Sequence, residues 1–344
     1  MVDEAHQILT SSDFRPDLKH IDKLREIALP KIYLTATLSP NHQLDFIRNI
    51  GLNPESVRVV RAPTGRKELR YHNVAVRNAR DTALVVTKLT YECYLQGIVK
   101  PDSRVIIFCH SITDAGVAAA CLGCLKYHGQ MPMDERNATQ EAWMAGKTPA
   151  DRCIAATSAL VHGVDAPYVD LIIFFNLPHS AVDFIQAAAR GGRRGRPCMV
   201  ILVHSNKPIQ VPIAKRDYGL ANVMNKFAEN QSQCRRILLT GAMDTRSFPC
   251  DSLEGDQLCD ICQPQTEMTA IINSCLVLKG SKIPPNNCLR TLEDPAPAPQ
   301  PPAIITVDDE DEYMYDNELS DDVLARVEMP VLTPPQPVSF QSSV

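Results

Sequence analysis

The sequence predicts an α/β protein, in which a mainly parallel sheet is covered by helices on both faces. Two observations lead to this fold class: short apolar runs alternate with helical stretches, and the runs are apolar along most of their length. Strands of that kind need cover on both faces, as in parallel sheets. The predicted strands are residues 31–35, 104–109, 153–157, 169–176 and 198–204. The predicted helices are residues 113–127, 133–144 and 181–189.

The size and composition of the chain fit a globular protein of two or three domains. It has 344 residues, of which 44% are hydrophobic, enough for a sizeable core. No apolar run approaches the roughly 20 residues that a membrane-spanning helix needs. The acidic start Met1–Glu4 does not resemble a secretory signal. We therefore expect an intracellular protein without a membrane span.

Changes in composition along the chain predict its domain organisation. Residues 1–62 contain one clear strand, too few to close a parallel sheet, and are predicted to be a partial domain. A polar linker at 63–75 leads to a complete α/β domain at 76–207. Residues 208–270 are predicted to form a small helical module with a cysteine cluster. Residues 271–344, rich in Pro and acidic residues, are predicted to be a mostly disordered tail.

The charge is distributed unevenly between the body of the chain and this tail. Residues 291–344 carry twelve acidic residues and one basic residue, a net charge of −11, which leaves about +6 for the first 290 residues. A mildly basic body suits a polyanionic partner, although an ordinary solvated surface has equal weight. The acidic tail either recruits a protein partner or shields the basic surface.

Twelve cysteines in an intracellular chain indicate buried thiols and metal ligands rather than disulfides. A CxxC pair in an alanine-rich helical stretch, Cys121 and Cys124, is predicted to be two buried helix thiols. The single cysteines in or near apolar runs are predicted to lie in the core: Cys93, Cys109, Cys153 and Cys198.

A second group of cysteines has the pattern of a zinc site. Cys234, Cys250, Cys259 and Cys262 lie in a loop region rich in Gly, Asp and Pro, and the last two form a CxxC. Tetrahedral Zn²⁺ needs four such ligands, and a CxxC brings two sulfurs to one ion from a tight turn. The alternative is four independent free thiols.

Paired carboxylates near the start of the chain suggest phosphoryl-transfer chemistry. In Val2-Asp3-Glu4-Ala5-His6, an apolar residue precedes two acids, an order that suits the end of a strand. One acid can hold Mg²⁺ through water while the next orients the attacking water. An ordinary acidic N-terminus is the alternative. A later strand, Tyr33–Thr35, is followed by a second hydroxyl at Thr37.

Two further segments bear on nucleotide binding. The stretch Gln186–Arg196 is a helix that closes in four arginines, whose forked side chains can stabilise charge on a transferring phosphate; a structural or nucleic-acid-binding loop is the alternative. No GxxxxGK[ST] phosphate loop occurs in the sequence. Gly146-Lys147-Thr148 is not expected to bind phosphate, because it ends a predicted helix instead of opening one.

Taken in order, these motifs resemble the RecQ-family DNA helicases over roughly residues 2–265. The matching strings are DEAH at 3–6, DFRP at 13–16, TAT at 35–37, YHG at 127–129, the segment 157–167 and QxxxRxxRxG at 186–195. DFRP and the cysteine module, which begins Cys-Arg-Arg at 234, are the most discriminating. A DEAH-type RNA helicase is disfavoured by both.

The resemblance implies two RecA-like motor domains, the first partial and the second complete, a zinc module, and 3′-to-5′ DNA helicase activity in nuclear recombination and repair. ATP, Mg²⁺ and Zn²⁺ would be the cofactors, and single-stranded or forked DNA the partner. For nucleotide chemistry it implies Asp3, Glu4, His6, Gln186, Arg190 and Arg193, the last as the arginine finger. For DNA contact or coupling it implies Phe14, Arg15, Thr35, Thr37, Ser111, Thr157, Gly163 and Asp165.

The sequence also departs from the family pattern. Residues 7–12 lack the aromatic residues of the usual loop after DEAH, and Leu160-Val161-His162 replaces Phe-Gly-Met. Ala187 and Ala189 replace a Glu and a Gly. With the phosphate loop absent, we expect a divergent, N-terminally truncated member that does not hydrolyse ATP alone. A non-enzymatic DNA-binding remnant of a helicase is the main alternative.

Overall fold

A six-stranded parallel sheet forms the centre of the protein in its computed structural model. The structure describes residues 1–10, 16–27, 29–161, 164–166, 168–206, 217–252, 255–278 and 284–294. The strand order is β1-β6-β5-β2-β4-β3, and every described pair is parallel. The strands are β1 (Leu69–Val76), β2 (Arg104–Cys109), β3 (Leu125–Tyr127), β4 (Cys153–Ala156), β5 (Val169–Phe175) and β6 (Cys198–Ser205).

Helices cover both faces of this sheet, as the apolar strands require. The described helices are α1 (Gln7–Thr10), α2 (Gln43–Asn49), α3 (Ala79–Leu95), α4 (Ile112–Leu122), α5 (Met133–Ala145), α6 (Ala181–Ala188), α7 (Ala221–Glu229), α8 (Arg235–Met243) and α9 (Glu267–Leu276). Of these, α1 and α2 pack in a separate small core. Trp143, Phe184 and Phe227 fill the core on one face. The α/β class is confirmed, and among the described residues no helix is long and apolar enough to cross a membrane.

Most predicted elements lie where they were expected, but one predicted helix is divided into a helix and a strand. The helix predicted at 113–127 ends at Leu122, and residues 125–127 form the edge strand β3 instead. The break has a local cause: Gly123 takes φ +74°, a left-handed conformation that ends a helix readily only at glycine. Cys121 therefore lies in the last turn of α4, whereas Cys124 lies just before β3 and not in a helix.

The predicted linker was wrong at its C-terminal end. Residues 69–75 belong to β1, which pairs in register with β6 from Leu69 opposite Cys198. The polar residues Arg70, His72 and Asn73 hid this strand in the sequence. His72 is nevertheless buried, and the Asn73 amide donates to the backbone oxygen of Ala228 at 2.9 Å.

The predicted first domain has a small core of its own. Ile8 and Leu9 pack with Phe46, Ile47 and Ile50 of the α2 region. The strand predicted at 31–35 is reduced to a single parallel bridge between Val2 and Tyr33. Two backbone hydrogen bonds of 2.8 Å, from Val2 to Ile32 and from Leu34 to Val2, hold this bridge. The acidic motif and the TAT motif therefore lie side by side.

The predicted tail begins too early. Residues 271–276 complete helix α9, and residues 288–291 form a further helical turn. Ile271, Ile272 and Cys275 are buried in the core that α9 shares with helix α3, since apolar residues recur at helical spacing from Met268 onward. Beyond the turn, Arg152 pairs with Asp294. The acidic stretch 295–344 lies outside the described residues.

Candidate interdomain site and cysteine cluster

The Val2–Tyr33 bridge positions the two acids and two hydroxyls of the first motifs. The Glu4 amide bonds the Asp3 carboxylate at 2.8 Å, and Glu4 has a φ of +47°, which turns the chain sharply. His6 is buried, and its Nδ1 lies 3.0 Å from Thr35 Oγ1 and 3.3 Å from Glu4 Oε2. The Thr37 amide donates to Thr35 Oγ1 at 3.2 Å. These motifs thus form one connected group.

Gln186 of helix α6 reaches this group from the second predicted domain. Its Nε2 lies 3.2 Å from each of three atoms: Glu4 Oε2, His6 Nε2 and Thr37 Oγ1. An amide nitrogen has two hydrogens, so these acceptors share them. A proton on His6 Nδ1 leaves Nε2 free to accept from Gln186, which fixes the consistent tautomer. Four of the predicted site residues therefore meet across the two predicted domains.

The two predicted nucleotide-sensing arginines lie one and two turns beyond Gln186. Arg190 is half-buried and donates to the Val164 backbone oxygen at 3.1 Å. Burial and then the neighbouring Arg193 lower the pKa of Arg190 from its usual value, while the charge of Glu4 raises it. Arg193 pairs with the exposed carboxylate of Asp165. Arg190 therefore lies close enough to Glu4 for the two charges to interact.

Two of the described residues that are predicted to contact DNA, Ser111 and Thr157, lie at the carboxyl ends of strands. Ser111 follows β2 and caps helix α4, accepting from the Asp114 amide at 3.0 Å. Thr157 follows β4, and its backbone amide donates to the Tyr127 backbone oxygen at 3.1 Å. Phe14, Arg15 and Gly163 lie outside the described residues. Parallel strands bring such ends to one edge of the sheet, which is where α/β proteins bind ligands.

The Gly146-Lys147-Thr148 string has the geometry of a helix end. Gly146 caps α5 with φ +55°. The Arg104 guanidinium donates to two backbone oxygens of the last turn, Met144 at 2.6 Å and Trp143 at 2.8 Å. The last turn of a helix presents carbonyl oxygens, whereas a phosphate needs the N–H groups of a first turn. Its exclusion as a phosphate loop follows from this geometry.

The four predicted zinc ligands converge. The sulfurs of Cys234, Cys250, Cys259 and Cys262 all lie within 4.8 Å of one another. A tetrahedral Zn²⁺ with bonds of about 2.3 Å holds its sulfurs about 3.8 Å apart, so the cluster fits the ion. The Cys234 and Cys250 sulfurs are 3.5 Å apart. Three of these residues are buried and Cys262 is exposed.

Sequence reasoning missed the side chains that hold this loop in place. Arg235 forms a two-pronged pair with Asp260, at 2.9 and 3.0 Å, and also donates to Phe227 at 2.9 Å. Arg236 pairs with the carboxylate of Asp256 at 2.8 Å. The signal was present: two arginines follow the first cysteine, and Asp260 lies inside the CxxC. The loop is also joined to the edge strand β1, since the Asp260 backbone amide donates to the Tyr71 backbone oxygen at 3.0 Å.

Comparison with known proteins agrees with these motifs. Residues 87–195 match the helicase conserved C-terminal domain. The ATP-dependent helicase SGS1 of Saccharomyces cerevisiae is 29% identical over 70% of this chain and 17% of its own length. The RecQ-like DNA helicase blm-1 of Caenorhabditis elegans is 27% identical over 77% of this chain and 28% of its own. The ATP-dependent DNA helicase RecQ of Pasteurella multocida is 25% identical over 80% of this chain and 44% of its own length.

A solved structure gives the same fold at lower identity. Dbp5 of Saccharomyces cerevisiae, bound to RNA and ADP BeF3, superposes with a TM-score of 0.50 and 17% identity, covering 80% of this chain and 62% of that one. The chain spans less than half the length of each of the curated relatives named above. Residues 87–195 thus match a helicase domain, and the chain is similar to RecQ-family helicases over most of its length.

Proposed function

We propose that this chain is part of a RecQ-like, ATP-dependent 3′-to-5′ DNA helicase that acts in recombination and repair in the nucleus. The observation that carries the proposal is the hydrogen bonding of Gln186 to Glu4, His6 and Thr37. Three motifs that are far apart in sequence meet there. In a motor of this class, such a junction links the state of the nucleotide to movement between the two domains.

In this proposal Asp3 and Glu4 hold Mg²⁺ and orient the water that attacks ATP. Gln186 joins them to the second domain, Arg190 senses the phosphates, and Arg193 is the finger that stabilises transferring charge. To take that role, Arg193 must leave its ion pair with Asp165 and bind phosphate oxygens instead. Asp165 would then be the residue that holds Arg193 until the phosphate binds.

The zinc module and the strand ends complete the proposal. Four cysteines would bind one structural Zn²⁺, which holds the loop against β1. Single-stranded or forked DNA would lie along the carboxyl ends of β2 and β4, where Ser111 and Thr157 contact its backbone. Phe14, Arg15, Thr35 and Gly163 are proposed to couple DNA to the nucleotide site.

Two other functions compete with this one. A non-enzymatic DNA-binding remnant would keep the DNA surface and the zinc site without responding to nucleotide. The sequence contains carboxylates for Mg²⁺ but no phosphate loop, which favours this alternative for the chain alone. An RNA helicase would prefer RNA to DNA of the same sequence.

One binding experiment separates the three. The affinity for a labelled single-stranded DNA is measured with and without millimolar Mg·ATP, and again with RNA of the same sequence. We expect tighter binding to DNA, and a shift in DNA affinity of at least about twofold with nucleotide, which Arg190→Ala abolishes. Arg80→Ala, which removes an exposed arginine at the start of α3, should keep the shift. A wild-type affinity that does not change with nucleotide supports the non-enzymatic remnant for this chain.

Turnover gives a separate prediction for the same site. Without a phosphate loop to hold the β- and γ-phosphates, the chain alone should hydrolyse ATP no faster than background, with or without DNA. Steady-state phosphate release measures this rate. A DNA-stimulated rate that Glu4→Gln abolishes would show that the chain holds a complete ATPase site and would contradict the prediction.

A further inference from the structure

A small cavity opens at the carboxyl ends of β2 and β5. Its volume is about 50 Å³, and its walls include Phe108, Cys109, Ser158, Asn176 and Asp183. The chain leaves β2 toward β3 on one side of the sheet and leaves β5 toward β6 on the other. The cavity therefore lies at a point where the topology switches direction, which is the preferred ligand site of open parallel sheets.

Two exposed histidines stand over this cavity as a pair. The ring centroids of His110 and His179 are 4.1 Å apart and their planes differ by 40°. His110 Nδ1 donates to the Leu177 backbone oxygen at 2.9 Å, which fixes the ring. Partial burial and then the neighbouring His110 lower the pKa of His179 from its usual value. Two aromatic rings held this close at the mouth of the cavity offer a surface on which a flat ligand can stack.

The walls offer both an apolar floor and unused polar groups. Phe108 stacks on Phe174 at 5.5 Å beneath the opening. Within the described part of the chain, the Asn176 amide and the Ser158 hydroxyl make no side-chain hydrogen bond, although both line the cavity. A flat ligand with hydrogen-bonding groups on its edge matches this combination, as a nucleobase does.

The neighbours of the cavity point to a single strand as the source of that ligand. Ser111 adjoins His110 and Thr157 adjoins Ser158, and both are proposed DNA-backbone contacts. This step rests on the proposed function. A strand that crosses these two residues passes its bases over the histidine pair.

We propose that this cavity binds one unstacked nucleobase of single-stranded DNA. The base stacks on the His110–His179 pair, and its edge enters the cavity toward Asn176 and Ser158. Because the cavity is small, only the edge enters and the face of the base remains on the two rings. Contacts of this kind tolerate any sequence, since every base has a flat aromatic face.

The test compares labelled oligo-dT with an abasic oligonucleotide of the same length and charge at one salt concentration. The wild-type chain should bind oligo-dT about tenfold more tightly, which is within the range of one stacked base. His179→Ala should reduce that ratio severalfold by weakening binding to oligo-dT alone. His179→Phe, which keeps an aromatic face, should preserve it. His20→Ala, which removes an exposed imidazole outside this edge, should not change it.

The outcomes separate this inference from the function on which it rests. If the ratio of the two affinities is the same in His179→Ala and the wild type, the nucleobase site is wrong and the DNA-binding proposal stands. If neither oligonucleotide binds, both are wrong. Since His179 is exposed, loss of folding is not expected, and a thermal melt of the variant verifies this.

Discussion

Replacement of Gln186 by alanine is expected to loosen the contact between the two predicted motor domains. The side chain is buried and its Nε2 supplies two hydrogens to Glu4, His6 and Thr37. A hydrogen bond to a charged group contributes about 1.5–3 kcal/mol and a neutral one about 0.5–1.5 kcal/mol. The carboxylate of Glu4 is 38% exposed, so its share is at the low end. We expect a loss of about 2 kcal/mol.

Native-state hydrogen exchange measures that loss. The Ala5 and Leu34 amides hold the Val2–Tyr33 bridge, and their protection should fall about 30-fold, the factor that corresponds to 2 kcal/mol. Amides in β2 and β5 should not change. Gln140→Ala, which removes a glutamine from helix α5, is the matched control. Unchanged exchange at Ala5 and Leu34 in the Gln186 variant would refute the argument that this side chain joins the domains.

The remaining predictions concern the metal site and a buried histidine. The purified chain should contain about one zinc, and Cys259→Ser should lose it and destabilise residues 217–262, whereas Cys121→Ser should retain it; metal analysis checks both. Burial lowers the pKa of His72 to about 4. Between pH 6.5 and 4 the unfolded chain therefore binds a proton that the folded chain does not, and the free energy of unfolding should fall by about 3 kcal/mol as the pH decreases. In denaturant titrations at several pH values, the His72→Phe variant should lack this part of the fall in the free energy of unfolding. The same dependence of that free energy on pH in the variant and the wild type would contradict the prediction.

The interior strands could be predicted from the sequence because burial on both faces leaves a simple signal. Strands β2, β4, β5 and β6 carry apolar side chains toward both faces. The edge strand β1 carries Arg70 and Asn73, whose partners come from the loop after α8 and from α7, so no local pattern reveals it. Strand β3 has three residues and follows a glycine that only the folded backbone shows to be left-handed.

The candidate site was predictable in its members but not in its contacts. Glu4, His6, Thr37 and Gln186 were identified as motif residues, and the fold brings them within hydrogen-bonding distance. The pairing of Arg193 with Asp165 could not be predicted, because it depends on a turn after α6. His179 carries no motif and is notable only once the ends of β2 and β5 are adjacent.

The central claim, that this chain is a DNA-binding part of a RecQ-like motor, is tested most directly by its affinity for single-stranded DNA over a salt series. Backbone contacts dominate binding in motors that step along any sequence, and each phosphate contact adds to the dependence on salt. We expect weak binding at low salt, with no preference for base sequence, and a logarithm of the affinity that falls steeply and linearly with the logarithm of the salt concentration. Absence of binding at low salt, or an affinity that does not change with salt, would contradict it.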